Sequence, residues 1–293
     1  MRHIFLFFLS ILSLSQAANL VRLAAAPPLM IGFWRIVGSA LIMLGLRHWQ
    51  TRKKTEPFLA QAPPSVWIWT LASGTFFFFH LWTFFFAAQN TTIANCMVIF
   101  SVSPLFTAIG ARVFLKDRFE RRHGIAFLLA FFGIYALGSQ NLSWNQGLAG
   151  DISALTSAVF FSGYLISSKK ARIHMNTEQF TGMIYLWAAA LFLAFALHQN
   201  IPLVGYPPIT WIAIIGNILI PTLLGHVLFI HLLKFFNINW MNCGKLLEPG
   251  LSALVAYFAF NENLKPETLM AFVFFAGSVL ILISAQLFKK SST

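Results

Sequence analysis

The chain has 293 residues, of which 58% are hydrophobic and 10% are charged, and its formal net charge is +12. An ordinary soluble domain is excluded, because such domains carry about 25% charged residues. The basic excess does not indicate nucleic-acid binding, since the basic residues lie in separate short loops where they can face anionic lipid headgroups.

Ten apolar stretches follow one another along the chain, and each has the length of a membrane-spanning helix. About 20 residues at a rise of about 1.5 Å cross a hydrocarbon core about 30 Å thick. The polar segments between the stretches are short, so the sequence predicts an all-α integral membrane protein with a single transmembrane domain over 1–293. The predicted spans are 4–23, 29–46, 65–87, 91–111, 124–140, 150–168, 179–197, 209–232, 239–260 and 267–287.

The first predicted span has a second interpretation. Arg2, an apolar run and the small residues around Ser15 and Ala17 together form the pattern of a cleavable signal peptide. We favour retention of this span, because its removal would destroy the internal symmetry described below.

The distribution of basic residues predicts the orientation in the membrane. When successive spans cross the membrane in opposite directions, 16 of the 20 Lys and Arg residues fall on the same side of the membrane. Only Arg22 and Lys265 fall on the other side, while Arg35 and Lys245 fall within spans. Because basic loops stay in the cytoplasm, both termini are predicted to be cytoplasmic.

An internal repeat divides the chain into two halves. Residues 100–117 and 245–262 align without a gap at an offset of 145 positions. The offset predicts a five-span repeat at 1–145 and a second at 146–293. Because five is odd, the halves are inverted, as in many secondary transporters. The identical pairs are Pro104 with Pro249, Ala108 with Ala253, and Ala111 with Ala256.

Three prolines fall inside predicted spans. Pro104, Pro221 and Pro249 would each remove a helical hydrogen bond and free a carbonyl group. Such breaks are tolerated in membranes where a neighbouring helix or a cavity supplies partners. The prolines are therefore predicted to be hinges or, alternatively, static kinks.

Lys245 and Glu248 are the most informative ionisable residues, because charged groups inside a span cost at least about 2.5–3.5 kcal/mol. They are three residues apart in span nine, so they project from one helix face and can pair. The pair either neutralises itself structurally or exchanges its internal partner for substrate or a proton. In the second case a neutral, protonated Glu248 would carry the coupling proton.

Arg35 lies about 10 Å into span two from the outer face. It can bind an anionic substrate or donate to helix carbonyls, and we favour the second role. His80, His226 and Asn19 are further candidates for a cavity lining, although we favour packing for the two histidines and interhelical bonding for Asn19. His226 and His231 are five apart, which is a poor spacing for a metal site, so neither a metal nor a cofactor is predicted.

Two phenylalanine clusters, at 76–79 and 84–86, cover most of the circumference of span three. A helix that is apolar on every side has no distinct inner face in its sequence. We therefore predict that these rings face lipid rather than form an aromatic binding cage.

Four segments of the chain carry a family resemblance. They are LVRLAAAPPLMIGFWR at 20–35, SPLFTAIGARVFLKD at 103–117, IPTLLGH at 220–226 and LLEPGLSALVAYFAFNE at 246–262. Together they resemble the EamA family of the drug/metabolite transporter superfamily. The resemblance covers the whole chain and implies a ten-helix inverted-repeat carrier of the bacterial inner membrane that moves small metabolites, often outward, by alternating access. It does not imply a substrate, and this sequence departs from the family pattern in having Asp117 where a Glu is common.

The sequence therefore predicts a secondary transporter rather than an enzyme or a pump, because no GxSxG, HExxH or ATP-binding loop is present. Its expected partners are a small molecule, membrane lipid and a coupling proton, and it is expected to be a monomer or homodimer. The mixed charges of Arg35, Lys245 and Glu248 favour an amino acid or a related amphoteric or anionic solute as the substrate, and the family resemblance implies that the substrate is exported. The alternatives are an exporter of hydrophobic cationic drugs, or a channel or scaffold that does not transport.

Overall fold

The computed structural model describes residues 2–51, 63–116, 121–138, 147–172 and 175–260, with isolated positions between 266 and 281. Within these ranges the chain is helical and contains no strand, which confirms the all-α class. Six helical stretches are long and apolar enough to cross a membrane. They are Arg2–Ala24, Pro28–Trp49, Pro64–Asn90, Leu148–Ala171, Thr177–His198 and Pro208–Leu232.

Four helices make up the first three of these stretches. The first stretch is bent at Ser15 and Gln16, where one helix ends and the next begins. The fourth helix begins at Pro64, where the missing backbone donor costs little. The helices are α1 (Arg2–Leu14), α2 (Ala17–Ala24), α3 (Pro28–Thr51) and α4 (Pro64–Asn90).

The predicted fourth span is not one continuous helix. It consists of α5 (Ile93–Phe100) and α6 (Ser103–Gly110), separated by a turn at 101–102, and continues as a π-helical turn over Ala111–Leu115. The predicted fifth span corresponds to α7 (Arg121–Gly138).

The second half of the chain contains a second interrupted region. The helices α8 (Leu148–Ala171), α9 (Thr177–His198) and α10 (Pro208–Asn217) are followed by a π-helical segment, Ile218–Val227, and α11 (Leu228–Leu232). The predicted ninth span is divided into α12 (Ile238–Gly244), a 3-10 turn at Lys245–Leu247, and α13 (Glu248–Phe260). The predicted tenth span lies almost entirely outside the described residues, so the structure does not confirm ten spans.

The structure changes the interpretation of two of the three prolines. Pro104 and Pro249 are each the second residue of a helix, α6 and α13, and therefore remove no hydrogen bond from a helix interior. The helix interruptions come just before them. Pro221 does lie inside a helical segment, the π-helical segment Ile218–Val227.

The packing places the two interrupted regions against each other. The helix α4 packs along α8 and α3 packs along α9, while α5 contacts α13 and α6 contacts α12. Close approach of α8 to the end of α4 requires glycine at position 150. A Cβ there would lie 2.8 Å from the carbonyl oxygen of Asn90.

Many large apolar side chains lie on the outside of the bundle, as expected for a surface that faces lipid. The phenylalanine clusters do not follow the sequence prediction, because Phe77, Phe78, Phe84 and Phe85 are buried within the protein. Lipid tails and protein interiors are both apolar, so composition alone did not distinguish the two environments. The most exposed large side chains are Phe258, Trp49, Val273, Phe5, Tyr135 and Ile68.

Candidate functional site

A small cavity brings together five of the six polar residues that the sequence singled out. Its lining includes Arg35, His80, His226, Lys245 and Glu248. Its volume is about 20 Å³, which is room for about one water molecule. This conformation is therefore too closed to hold a metabolite.

The charged pair Lys245 and Glu248 lies where the 3-10 turn meets α13. Lys245 Nζ is 2.6 Å from Glu248 Oε1, and both side chains are almost fully buried. The Lys245 ammonium also lies above three phenylalanine rings, at 4.4 Å from the centroid of Phe161, 5.4 Å from that of Phe100 and 5.6 Å from that of Phe229. The Lys245 cation is thus held by one carboxylate and the faces of three phenylalanine rings.

Arg35 is fully buried and bonds to side chains, not to the helix carbonyls that we favoured from sequence. Its Nε donates to Thr222 Oγ1 at 2.7 Å, and its Nη1 donates to Asn217 Oδ1 at 3.2 Å. Among the described residues, its Nη2 has no hydrogen-bond partner. The guanidinium also lies 5.3 Å from the centroid of the Phe85 ring. One donor nitrogen of a buried cation is therefore left for a ligand.

The π-helical segment positions the partners of Arg35. Thr222 Oγ1 donates to the carbonyl of Asn217 at 2.7 Å, and Asn217 Nδ2 donates to the carbonyl of Ala213 at 3.0 Å. Pro221 cannot donate a backbone hydrogen bond, and this favours the wider π-helical turn over an α-helical turn. The end of α10 and this segment thereby present Asn217, Thr222 and His226 to the interior.

The two histidines lie beside each other in the same region. The centroids of the His80 and His226 rings are 6.0 Å apart. His80 Nδ1 is 2.8 Å from Ser157 Oγ, while that hydroxyl donates to the His80 carbonyl at 3.1 Å. No group of three metal-ligating side chains occurs in the part of the chain that the structure describes.

Asn19 lies between helices rather than with the five residues above. Its Nδ2 is 3.3 Å from the Ser252 carbonyl and 3.3 Å from Gln16 Oε1, which joins α2 to α13. Its Oδ1 is buried and has no partner within the described ranges.

Two buried tyrosines next to the cavity were missed by the sequence interpretation. Tyr164 and Tyr185 both pack against Phe77, with ring centroids 4.7 Å and 5.3 Å from its ring. Their hydroxyl oxygens are buried and have no hydrogen-bond partner in the described chain. Phe77 also contacts His226 edge-on at 5.1 Å. A tyrosine in an apolar stretch carries no sequence signal that distinguishes such a position from the lipid interface.

One end of the bundle is joined by hydrogen bonds that we call the Arg22 closure. Arg22 Nη2 donates to the carbonyls of Ala88 and Thr91, at 3.2 Å and 2.7 Å, and Gln89 Nε2 donates to the Ala26 carbonyl at 2.8 Å. A cleft of about 360 Å³ opens at the same residues. The closure connects α2 and the start of α3 to the end of α4.

The opposite end has an equivalent set of bonds around Arg172, which follows α8. Arg172 Nη1 donates to the Met175 carbonyl at 3.1 Å and Nη2 donates to Thr177 Oγ1 at 2.8 Å. Thr177 Oγ1 is in turn 3.1 Å from His231 Nδ1. Burial lowers the pKa of Arg172 to about 10, so this guanidinium remains charged at neutral pH.

The model of the EamA-like transporter family matches the chain twice, over residues 1–139 and 148–284. The chain belongs to this family. An EamA-family chain with these apolar helices is a multi-pass membrane transporter, and the double match agrees with the internal repeat read from the sequence.

The chain is also similar to a curated protein and to a solved structure. An uncharacterized transporter of Archaeoglobus fulgidus is 26% identical over 197 residues, which is 67% of this chain and 68% of that protein. A solved crystal structure of a protein superposes with a TM-score of 0.77 at 18% identity, covering 98% of both chains. The second likeness shows the shared fold.

Proposed function

We propose that this transporter is a secondary carrier that moves a small amphoteric or anionic metabolite, such as an amino acid, out of the cell across the bacterial inner membrane. The observation that carries the proposal is the set of charged residues that line the cavity. Arg35 has a donor nitrogen without a hydrogen-bond partner among the described residues, and Lys245 is paired with Glu248.

The charges of these residues favour a ligand with a carboxylate. The lining residues Arg35 and Lys245 are cationic, and Glu248 is the anion that pairs with Lys245. Arg35 has only neutral hydrogen-bond partners among the residues described, Thr222 and Asn217. A buried unpaired cation is costly, and a carboxylate would both neutralise it and accept from its Nη2.

Alternating access would be provided by two inverted halves, 1–145 and 146–293, with five spans each and both termini in the cytoplasm. The contact between the interrupted regions α5–α6 and α12–α13 supports this proposal, because carriers bind solutes where discontinuous helices of two repeats meet. Pro104, Pro249 and Pro221 mark the interruptions and are the proposed hinges. The carrier acts as a monomer or homodimer.

Coupling to a proton would use Glu248. When Lys245 leaves the carboxylate and no substrate ammonium takes its place, a proton is the simplest replacement for its charge in a buried site. The test is uptake driven by an imposed pH gradient in proteoliposomes. A Glu248→Gln protein that accumulates substrate as the natural protein does would remove Glu248 as the coupling group.

A second candidate, export of hydrophobic cations, is favoured by one observation. Three phenylalanine rings surround the Lys245 ammonium, and such rings also bind organic cations. The candidate differs from the first in requiring no carboxylate on the substrate.

Counterflow in proteoliposomes tests the proposed function. Separate batches are preloaded with amino acids, organic acids, nucleosides, polyamines or cationic drugs, and entry of the matching tracer is followed. We expect a signal for amino acids or organic acids. A signal for cationic drugs alone would establish the second candidate, and silence across the panel with well-folded protein would favour a channel or scaffold.

A further inference from the structure

We infer that Glu248 and the rings of Phe100, Phe161 and Phe229 form a subsite for a primary ammonium group, and that Lys245 occupies this subsite as a tethered competitor when no ligand is bound. The inference rests on the proposed function only for its transport role. Binding of an amine is a separate property.

The subsite is assembled from four separate parts of the fold. Phe100 ends α5, Phe161 lies in the middle of α8, Phe229 lies in α11, and Glu248 begins α13. All four side chains are buried at 5% exposure or less. A cation held by a carboxylate and several ring faces is a recurrent form of ammonium recognition, and the attraction to a ring face is stronger when the cation is desolvated.

Lys245 differs from the rest of the subsite in how it is held. Its ammonium contacts one carboxylate oxygen and ring faces, and the chain carries it on the short 3-10 turn Lys245–Leu247 between α12 and α13. Its four-carbon side chain is flexible. A lysine ammonium is chemically the same group as the amine of a small metabolite, so the two compete for one position.

The consequence for an amphoteric ligand is an exchange of ion pairs. The ligand's ammonium takes the place of the Lys245 ammonium on Glu248, and its carboxylate accepts from the free Nη2 of Arg35. One ammonium group replaces another, so the Glu248 carboxylate stays paired throughout the exchange. A buried carboxylate without a partner would be strongly destabilising. A ligand without an amine would leave Lys245 in place.

The experiment removes the competitor and supplies a free amine. Purified Lys245→Ala protein is titrated with n-propylammonium chloride, and the Tm is followed in detergent against a sodium chloride control. We expect the amine to raise the Tm of Lys245→Ala in a saturable way and to leave the natural protein unchanged, because Lys245 already fills the subsite there.

Two variants serve as controls. Lys170→Ala is the matched variant, because Lys170 also lies over an aromatic ring, 4.0 Å from the centroid of Trp69. It is expected to give no shift, since its ammonium has no carboxylate within salt-bridge distance in the described chain. Lys245→Ala combined with Glu248→Gln is also expected to give no shift. Phe161→Leu in the Lys245→Ala background should weaken amine binding by about threefold or more.

Each outcome decides the inference. Folded Lys245→Ala without an amine-dependent shift, or with a shift equal to that of Lys170→Ala, overturns it. If Lys245→Ala is recovered folded only when n-propylammonium is present during purification, the inference stands; if the amine does not restore folding, it fails. Counterflow by the natural protein is unaffected by these results, so failure of the subsite and failure of the transport proposal are distinguishable.

Discussion

Arg35 Nε donates to Thr222 Oγ1 at 2.7 Å, and Thr222 donates onward to the carbonyl of Asn217. This relationship joins α3 to the π-helical segment that contains Pro221. A ligand that draws Arg35 toward its own carboxylate would therefore act directly on an irregular helix segment, which is where a conformational change requires little disruption of backbone bonds.

The first prediction concerns this link. Thr222→Val removes the acceptor of Arg35 while keeping the shape, and should destabilise the protein by about 1.5–3 kcal/mol, the range for a hydrogen bond to a charged group. The measurement is the Tm in detergent. Thr156→Val is the matched control, because Thr156 bonds only to the Ile152 carbonyl at an exposed position. Equal stability of the two variants would show that the link is not energetically important.

Arg35 itself should be required for carboxylated substrates. Arg35→Lys keeps the charge but loses the planar fork that serves Thr222, Asn217 and a ligand together. We expect the KM for counterflow to rise by about tenfold or more, which corresponds to about 1.4 kcal/mol. The protein must remain monodisperse for the result to count. Unchanged KM in folded protein would contradict a role in binding.

The Lys245–Glu248 pair should behave as a buried ion pair. Glu248→Gln leaves the Lys245 cation without its partner and should cost about 3–5 kcal/mol, whereas Lys245→Met combined with Glu248→Gln should recover most of that stability. Thermal unfolding of the natural protein and the single and double variants gives the coupling free energy. Additive losses would mean that the two groups do not interact.

The Arg22 closure should control access to the cavity from its end of the bundle. Arg22→Gln weakens the bonds to Ala88 and Thr91, so water should reach the cavity more often. The measurement is the rate at which a water-soluble maleimide labels an Ala17→Cys reporter in the cavity lining, in protein whose native cysteines are replaced by alanine.

We expect Arg22→Gln to raise this labelling rate by about tenfold, the effect of about 1.4 kcal/mol on an opening equilibrium. Arg121→Gln, at the exposed start of α7, is the control and should leave the rate unchanged. A rate that does not respond to Arg22→Gln would show that the closure does not limit access.

The sequence predicted the helical class, the family and five of the residues that line the cavity. Ionisable groups such as Arg35, Lys245 and Glu248 are conspicuous in apolar stretches, because only a protein interior or a cavity can accommodate them in a membrane. The structure places these three residues around one small cavity, while their role in transport stays a prediction.

The rest could not be predicted from the sequence for a physical reason. Lipid and protein interior are equally apolar, so Phe77, Phe85 and Tyr185 look the same in sequence whether they face lipid or are buried inside the protein, as they are here. Pro104 indicated an interruption in the fourth span, but the sequence did not show that the helix breaks before the proline, at 101–102. For Asn19 the sequence left a solute contact open beside interhelical bonding, and the structure places its side chain between α2 and α13.

The most direct test of the central claim, that the cavity recognises both an ammonium and a carboxylate, is counterflow with three ligands that share one side chain. Leucine carries both groups, 3-methylbutylamine lacks the carboxylate and 4-methylpentanoate lacks the amine. The account predicts that leucine competes with the transported tracer at least about tenfold better than either relative. Equal or better competition by the amine alone would contradict it and establish the carrier as a cation exporter.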